Sequence, residues 1–357
     1  MWENFIELPT ALIVDHIFRF LNLKSIALLE RALTSPDKLA TFHSFLELCP
    51  AFEGTVYVST QMSKMRWLQK RRCRIAKGVI YLEELKAAVD VDQIDELTLY
   101  VRKRLIPNQI DMLSDVAYKN ISQVDISVDD QDRSIMLKLF SRLKNIRTLS
   151  ATGNIDDWIQ DALNSTDRTA LEKITLDHFP TSHTTVAAIV KHCPNLLSLE
   201  VFRFADTNEA LLTLSEHKLP KEFLGVSYAL SELSVTQAAR CTHALSRIRS
   251  LCTSKASWPA DLLLDLAPYL TGLKGLWLKS SIDHKLLPLL AQHSLSLERV
   301  RICTHSSVTV ELLAVLIVSN RDSLTSLRIN SDLSIAKTML LTELMPYCPH
   351  LQGLTYM

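Results

Sequence analysis

The chain is short of glycine. Its 357 residues contain seven, and none stands in G-x-G-x-x-G or G-x-x-x-x-G-K-[ST], so no loop offers the backbone cradle that nucleotide phosphates require. H-E-x-x-H and G-x-S-x-G are also missing, which removes the common metalloprotease and nucleophile-elbow signatures. Cysteine is sparse, odd in number at seven, and never arranged as C-x-x-C. That pattern excludes a disulfide framework and points to a reducing compartment. His192-Cys193 and Cys241-Thr242-His243 are the nearest approaches to metal ligands, and neither has the second pair that tetrahedral zinc needs. Net charge is lacking too: 39 basic residues balance 39 acidic ones, so no global field draws in nucleic acid or a membrane surface. The start, Met1-Trp2-Glu3-Asn4, has no basic and apolar leader. The longest uncharged apolar run, Leu312 to Val318, is far too short to span a bilayer. The expectation is a soluble cytoplasmic or nuclear protein that is not an enzyme. It has no catalytic residues, no metal and no cofactor, and it binds neither nucleic acid nor membrane.

What the chain does have is leucine and its relatives at a fixed rhythm. Hydrophobic residues make up 47%, enough for a large core. The frame L-x-x-L-x-L, with Ile or Val allowed, recurs with its middle position at Leu97, Val124, Leu149, Ile174, Leu199, Leu224, Leu251, Leu276, Val300, Leu327 and Leu354. Successive middles are 24 to 27 residues apart by subtraction, inside the roughly 20–29 residue period of leucine-rich repeats. The copies around Leu149, Leu224 and Leu251 are weaker and are placed by the spacing. Between frames the period turns helical: Val186, Ile189, Val190 and Cys193, and again Leu341, Leu344, Met345 and Cys348, follow i, i+3, i+4, i+7. The fold predicted is α/β, a solenoid of about eleven repeats with a parallel concave sheet and convex helices. Each unit buries its apolar side only against its neighbours.

The phrases His192-Cys-Pro-Asn-Leu-Leu-Ser-Leu199 and Tyr347-Cys-Pro-His-Leu-Gln-Gly-Leu354 resemble the cysteine-containing subtype of leucine-rich repeat, typical of F-box substrate receptors and their relatives. In such repeats an Asn or Cys five residues beyond the middle Leu carries an inter-repeat hydrogen-bond ladder. Here that position is Asn only at Asn154, so most of that ladder is expected to be absent.

Residues 1–48 stand outside the repeat. Thr10 is a candidate N-cap, and Ile13, Ile17, Phe20 and Leu21 make one apolar stripe on the helix that follows. Leu23, Ile26, Leu29 and Leu33 suggest a second helix, and Phe42 to Leu48 a third. The run from Leu8-Pro9 to Ile26 resembles an F-box. The resemblance implies that Leu8, Pro9, Ile13, Ile17 and Phe20 dock the adaptor subunit of an SCF-type ubiquitin ligase. The family's Val-Cys-Lys-x-Trp stretch is replaced by Glu30-Arg31-Ala32-Leu33-Thr34. The alternative is a helical cap on a scaffold with no ubiquitin-ligase role. The division expected is therefore an all-α F-box-like segment at 1–48, a basic helical connector at 49–78 and repeats at 79–357.

Two charge patterns remain. Lys64 to Lys77 holds Lys64, Arg66, Lys70, Arg71, Arg72, Arg74 and Lys77, interleaved with Trp67, Leu68 and Ile75. It reads either as an import or nucleic-acid patch or, preferred, as a helix pinned by its apolar residues with a solvated basic face. The residues flanking each middle Leu face out of the sheet, because strand side chains alternate. In the first five units these include Glu96, Asp125, Asp177 and Glu200 against one base, Lys173. From residue 273 onward they include Lys279, Arg299, Arg301 and Arg328 with no acid, beside Trp277. Trp and Arg dominate binding hot spots, and guanidinium forks suit carboxylate or phosphate. Trp277, Lys279, Arg299, Arg301 and Arg328 are therefore the candidate substrate-binding residues, for a protein partner that is acidic or phosphorylated.

Overall fold

A computed structural model describes residues 23–49, 51–58, 60–85, 91–127, 132–153, 156–164, 168–177, 180–202, 204–217, 222–225, 235–253, 265–278, 296–303, 310–330 and 348–356. The chain divides into two compact units, Met1–Asn154 with Ser165–Leu171, and Ile155–Asn164 with Glu172–Met357. Each is a stack of parallel strands in sequence order. The first holds β1 (Phe52–Tyr57), β2 (Ile75–Tyr81), β3 (Ile94–Val101), β4 (Ile121–Ser127) and β5 (Thr148–Thr152). The second holds β6 (Lys173–Asp177), β7 (Ser198–Val201), β8 (Glu222–Gly225), β9 (Ile248–Thr253), β10 (Gly275–Leu278), β11 (Arg299–Cys303), β12 (Ser326–Asn330) and β13 (Gly353–Tyr356).

All eleven frames fall on strands, β3 to β13. The alternation is visible in burial: Leu97, Leu99 and Val101 are fully buried, while Glu96 is exposed and Thr98 and Tyr100 are half-buried. Two frames are corrected in register. Leu99, not Leu97, lies opposite Val124, because a bulge in the β3–β4 pairing absorbs the longer interval. Phe223, not Leu224, lies opposite Leu199, and a second irregularity follows between β8 and β9.

The ladder also begins earlier than the frame suggests. The segment expected to be a helical connector, 49–78, contains β1 and most of β2 around its helix. The physical reason is Gly78. It stands opposite Leu97 in register, and a Cβ there would meet Ile94 Cδ1 at 2.7 Å and Leu97 Cδ2 at 2.8 Å. The neighbouring strand fills the space that a middle Leu would take, so the copy is invisible as leucine.

The described helices are α1 (Leu23–Ala32), α2 (Pro36–Leu48), α3 (Met62–Lys70), α4 (Asp115–Asn120), α5 (Arg133–Arg142), α6 (Asp156–Asn164), α7 (His183–His192), α8 (Thr207–Glu216), α9 (Val235–Arg240) and α10 (Val310–Ser319), with shorter turns between. Several start on side-chain caps. Ser114, Asp132, Ser182 and Asp206 accept from the backbone N–H of Ala117, Ser134, Thr185 and Glu209 at 2.8–3.2 Å, and each is worth about 1 kcal/mol. α2 begins earlier than expected, with Pro36 in its first turn after Ser35. α7 ends at Cys193, which is buried. The Cys193 carbonyl accepts from Leu196 N at 3.1 Å, and Cys348 repeats that turn with Leu351 at 3.2 Å.

An inter-repeat ladder does exist, carried by other residues than the expected position. Asn120 Nδ2 donates to Ile94 O at 2.9 Å and Asn145 Nδ2 to Lys119 O at 3.0 Å. Arg168 fills in the first unit the helix-end slot that Cys193 fills in the second, since its carbonyl accepts from Leu171 N at 3.0 Å. Its guanidinium donates to the carbonyls of Leu143 and Phe140 and lies 5.3 Å from the Phe140 ring centroid. Buried helix-end carbonyls must be satisfied, and here one arginine satisfies two.

Candidate functional site

Parallel register lines up strand positions in rows across β9 to β13. One row reads Ser250, Gly275, Arg299, Ser326, Gly353, and the next reads Cys252, Trp277, Arg301, Arg328, Thr355. The first row is small except at Arg299. The space at Gly275 is already tight, since a Cβ there would stand 2.9 Å from Ser250 Oγ. A cavity of about 270 Å³ opens on this face, lined by Ser250, Gly275, Trp277, Arg299, Arg301, Ser326 and Arg328.

Four of the five residues expected to bind a partner are thus brought together: Trp277, Arg299, Arg301 and Arg328 line one cavity. Lys279 lies outside the described residues, as do Leu8, Pro9, Ile13, Ile17 and Phe20 of the expected adaptor site. Gly275 and Ser326 flank middle positions and so face out of the sheet by alternation, but neither they nor Ser250 stand out in the sequence as binding residues. Their signal is a small residue at the same strand position in units 250, 275, 326 and 353, which is readable only once register is known.

The chemistry of the cavity is cationic. The Arg301 guanidinium lies over the Trp277 ring, 4.2 Å from its centroid. That stack fixes the plane of the fork. Arg301 Nε is buried and has no hydrogen-bond acceptor, a state that costs about 1–3 kcal/mol when nothing fills it. Among the described residues no carboxylate pairs with Arg299 or Arg301. The nearest acid in sequence, Glu298, is engaged by Lys274 at 3.0 Å.

In the first unit several charges are answered within the chain. There Tyr81 and Tyr100 stack at 5.2 Å, and the Arg102 guanidinium covers both rings at 5.1 and 4.9 Å. Asp125 pairs with Tyr100 in register. Burial pushes the Asp125 carboxyl up from its ordinary value, with Arg102 opposing. Burial, then Asp125, pushes the Tyr100 phenol up. Glu96 is met by Lys77 at 3.8 Å and by Ser122 Oγ at 2.9 Å.

The second half of the basic run is answered too. Met65, Leu68 and Ile75 are buried, while Arg72, Arg74 and Lys77 face Glu47, Asp95 and Glu96. Arg71 turns inward to the buried Glu30 of α1. That carboxylate also accepts from Trp67 Nε1 at 2.8 Å and pairs with His43 Nε2 at 2.9 Å. Burial works to raise the Glu30 pKa, but the hydrogen bonds from Arg71, His43 and Trp67 outweigh it and hold the group below its usual value.

Among the described residues no cluster of His, Cys, Asp and Glu is placed to hold a metal ion, and no helix is long and apolar enough to cross a membrane.

No protein-family model and no curated protein sequence matches the chain. Solved structures do. The leucine-rich-repeat-containing protein LegL7 of Legionella pneumophila is similar at a TM-score of 0.50 and 12% identity, over 74% of this chain and 97% of that one. A leucine-rich-repeat protein of Leptospira interrogans is similar at 0.32 and 11%, over 93% and 98%. The first likeness shows the leucine-rich-repeat fold, a fold that serves protein–protein interaction.

Proposed function

We propose that the chain is the substrate-recognition subunit of an SCF-type ubiquitin ligase, working in the cytoplasm or nucleus and performing no chemistry of its own. The substrate protein is held on the face of β9 to β12, and it is acidic or phosphorylated there. The observation that carries the substrate half is the cavity in which Trp277, Arg299, Arg301 and Arg328 converge without a carboxylate for Arg299 or Arg301 among the described residues. Support for the adaptor half is the F-box-like run from Leu8-Pro9 to Ile26. Joining the two ends raises the effective concentration of substrate beside the ubiquitin-loading machinery.

A second reading has one observation in its favour. Glu30 ties α1 to α2 and α3 through His43, Trp67 and Arg71, as expected of a helical cap built into the first repeats. In that reading the chain is an interaction scaffold outside ubiquitin transfer. Co-purification of the full chain with the adaptor and a cullin decides between them. Ile13→Asp with Ile17→Asp puts charge into the expected apolar interface, at a cost of several kcal/mol. Adaptor capture should be lost while circular dichroism is unchanged. If the wild type captures no adaptor, or the double variant still does, the scaffold reading stands.

A further inference from the structure

We infer that the cavity on β9 to β12 is a seat for a phosphate monoester carried on an extended segment of the partner protein, rather than for a carboxylate. The inference rests on the recognition reading above and sharpens it. Three guanidinium groups, Arg299, Arg301 and Arg328, line one cavity of about 270 Å³. A carboxylate has one charge and two oxygens, and a single arginine satisfies it bidentately. A phosphorylated serine or threonine brings a charge of about −1.5 to −2 and three acceptor oxygens, which suits the forks of Arg299 and Arg301 with the further positive charge of Arg328 beside them. The chain holds its own example of the smaller case: Glu30, a carboxylate, takes one arginine, Arg71, and fills its remaining capacity with Trp67 and His43.

The surroundings choose the bearer of the phosphate. The Arg301 guanidinium already occupies one face of Trp277, at 4.2 Å, so that face is not free for a nucleobase to stack on. On either side of Arg299 the row carries only Ser250 and Gly275, then Ser326 and Gly353. That leaves a shallow course across the strands for an extended peptide to enter and leave. The Arg301 Nε–H, buried and without an acceptor, is a donor that a phosphate oxygen would satisfy. The lining contains arginine, serine, glycine, tryptophan, leucine and valine. Among these described residues there is no imidazole or carboxylate, so the second ionisation of the phosphate is the group in this contact that titrates near pH 6.

The test uses the full chain and three fluorescent peptide libraries. Each is degenerate around a fixed centre that is phosphoserine, glutamate or serine, and binding is read by anisotropy. The phosphoserine library should bind at least roughly ten times more tightly than the glutamate library, and the serine library more weakly still. Lowering the pH from about 7.5 to about 5.5 should weaken the phosphoserine library, because the second phosphate pKa is about 6, and leave the glutamate library unchanged. Arg301→Gln should reduce phosphoserine binding to the glutamate level. Arg301→Lys should recover part of it, since the charge returns without the fork. Arg299→Gln, at an exposed position, serves if Arg301→Gln fails to fold. Equal affinity for phosphoserine and glutamate overturns the phosphate assignment and leaves an acidic partner in place. If all three libraries fail on a folded wild-type chain, this site and the recognition reading both fall.

Discussion

Trp67 with Arg71 and Trp277 with Arg301 are the same pair in two settings. In each, a guanidinium lies over an indole, 4.7 Å from the centroid in the first unit and 4.2 Å in the second. The first pair closes on Glu30, a buried carboxylate that the chain itself supplies. The second has no such carboxylate among the described residues, and Arg301 keeps a buried Nε–H without an acceptor. Tyr81, Tyr100 and Arg102 lie between these extremes, with Asp125 beside them. Arg142 over Tyr118 is again complete, held by Asp115 at 2.7 Å and by Ile110 O at 2.9 Å. A stacked arginine is thus a structural part where its acceptors are built in, as a carboxylate or, at Arg168, as two carbonyls, and a candidate site where they are not.

The largest effects should be blind to this difference, because both faces stand on the same frame. Leu99 is fully buried and Leu276 is 2% exposed. Leu99→Asp and Leu276→Asp each place an unpaired charge between strand and helix, and each should cost more than about 4 kcal/mol. Thermal melts followed by circular dichroism should show comparable losses. A mild effect at only one of them would mean that the two units do not share one repeat frame.

Next in size is the closed pair. Glu30→Ala removes the acceptor for Arg71, Trp67 and His43 and should cost about 3 kcal/mol, read by chemical denaturation. The pH dependence has a definite sign. The folded pKa of Glu30 lies below the unfolded value, which is about 4.3. Its contribution is therefore present above that unfolded value and is lost as pH falls through the lower folded one. Glu30→Gln should lose that part of the acid dependence. An unchanged acid limb would show that the stack does not depend on its carboxylate.

The open pair should show its effect in binding instead. Arg299→Glu with Arg301→Glu should lower partner capture by roughly a hundredfold or more, while adaptor capture and melting temperature stay put. Reversing Asp125 and Glu200 should not affect that partner. If it does, and the arginine variant captures normally, the binding face is the acidic one.

Some of this was legible in the sequence for plain reasons. Leucine recurs where a strand must face a helix, so all eleven frames found their strands. Period-two alternation alone puts Trp277, Arg299, Arg301 and Arg328 on one side of the sheet. What stayed hidden depends on neighbours that are distant in sequence. Gly78 concealed a repeat because Ile94 and Leu97 fill its space. Phe223 took the place of Leu224 in the register with β7, and a further shift follows in the pairing with β9. Glu30 reads as one more charge on a short helix until Trp67 and Arg71, more than 35 residues on, are seen to meet it. The trough of Ser250, Gly275 and Ser326 exists only through register.

The intermediate case gives the smallest and most discriminating prediction. Asp125 is half-buried beside Tyr100, and burial raises its pKa while Arg102 opposes the rise. A carboxyl whose folded pKa lies above the unfolded value of about 3.9 is, when ionised, a net cost to the fold. That cost is present at neutral pH and vanishes as pH drops below both values. Asp125→Asn should accordingly leave stability unchanged or raise it by less than about 0.5 kcal/mol at pH 7, with no gain at pH 3, measured by urea denaturation at both. A stabilised variant would mean that Arg102 is held mainly by the two tyrosine rings, so that an arginine on an aromatic face can persist with little help from an anion, as Arg301 must before its partner arrives. If the variant loses more than about 1 kcal/mol at pH 7, the carboxylate is part of what holds Arg102 in place. The stack at Trp277 would then be unstable without an anion, and the free chain should bind even small anions there.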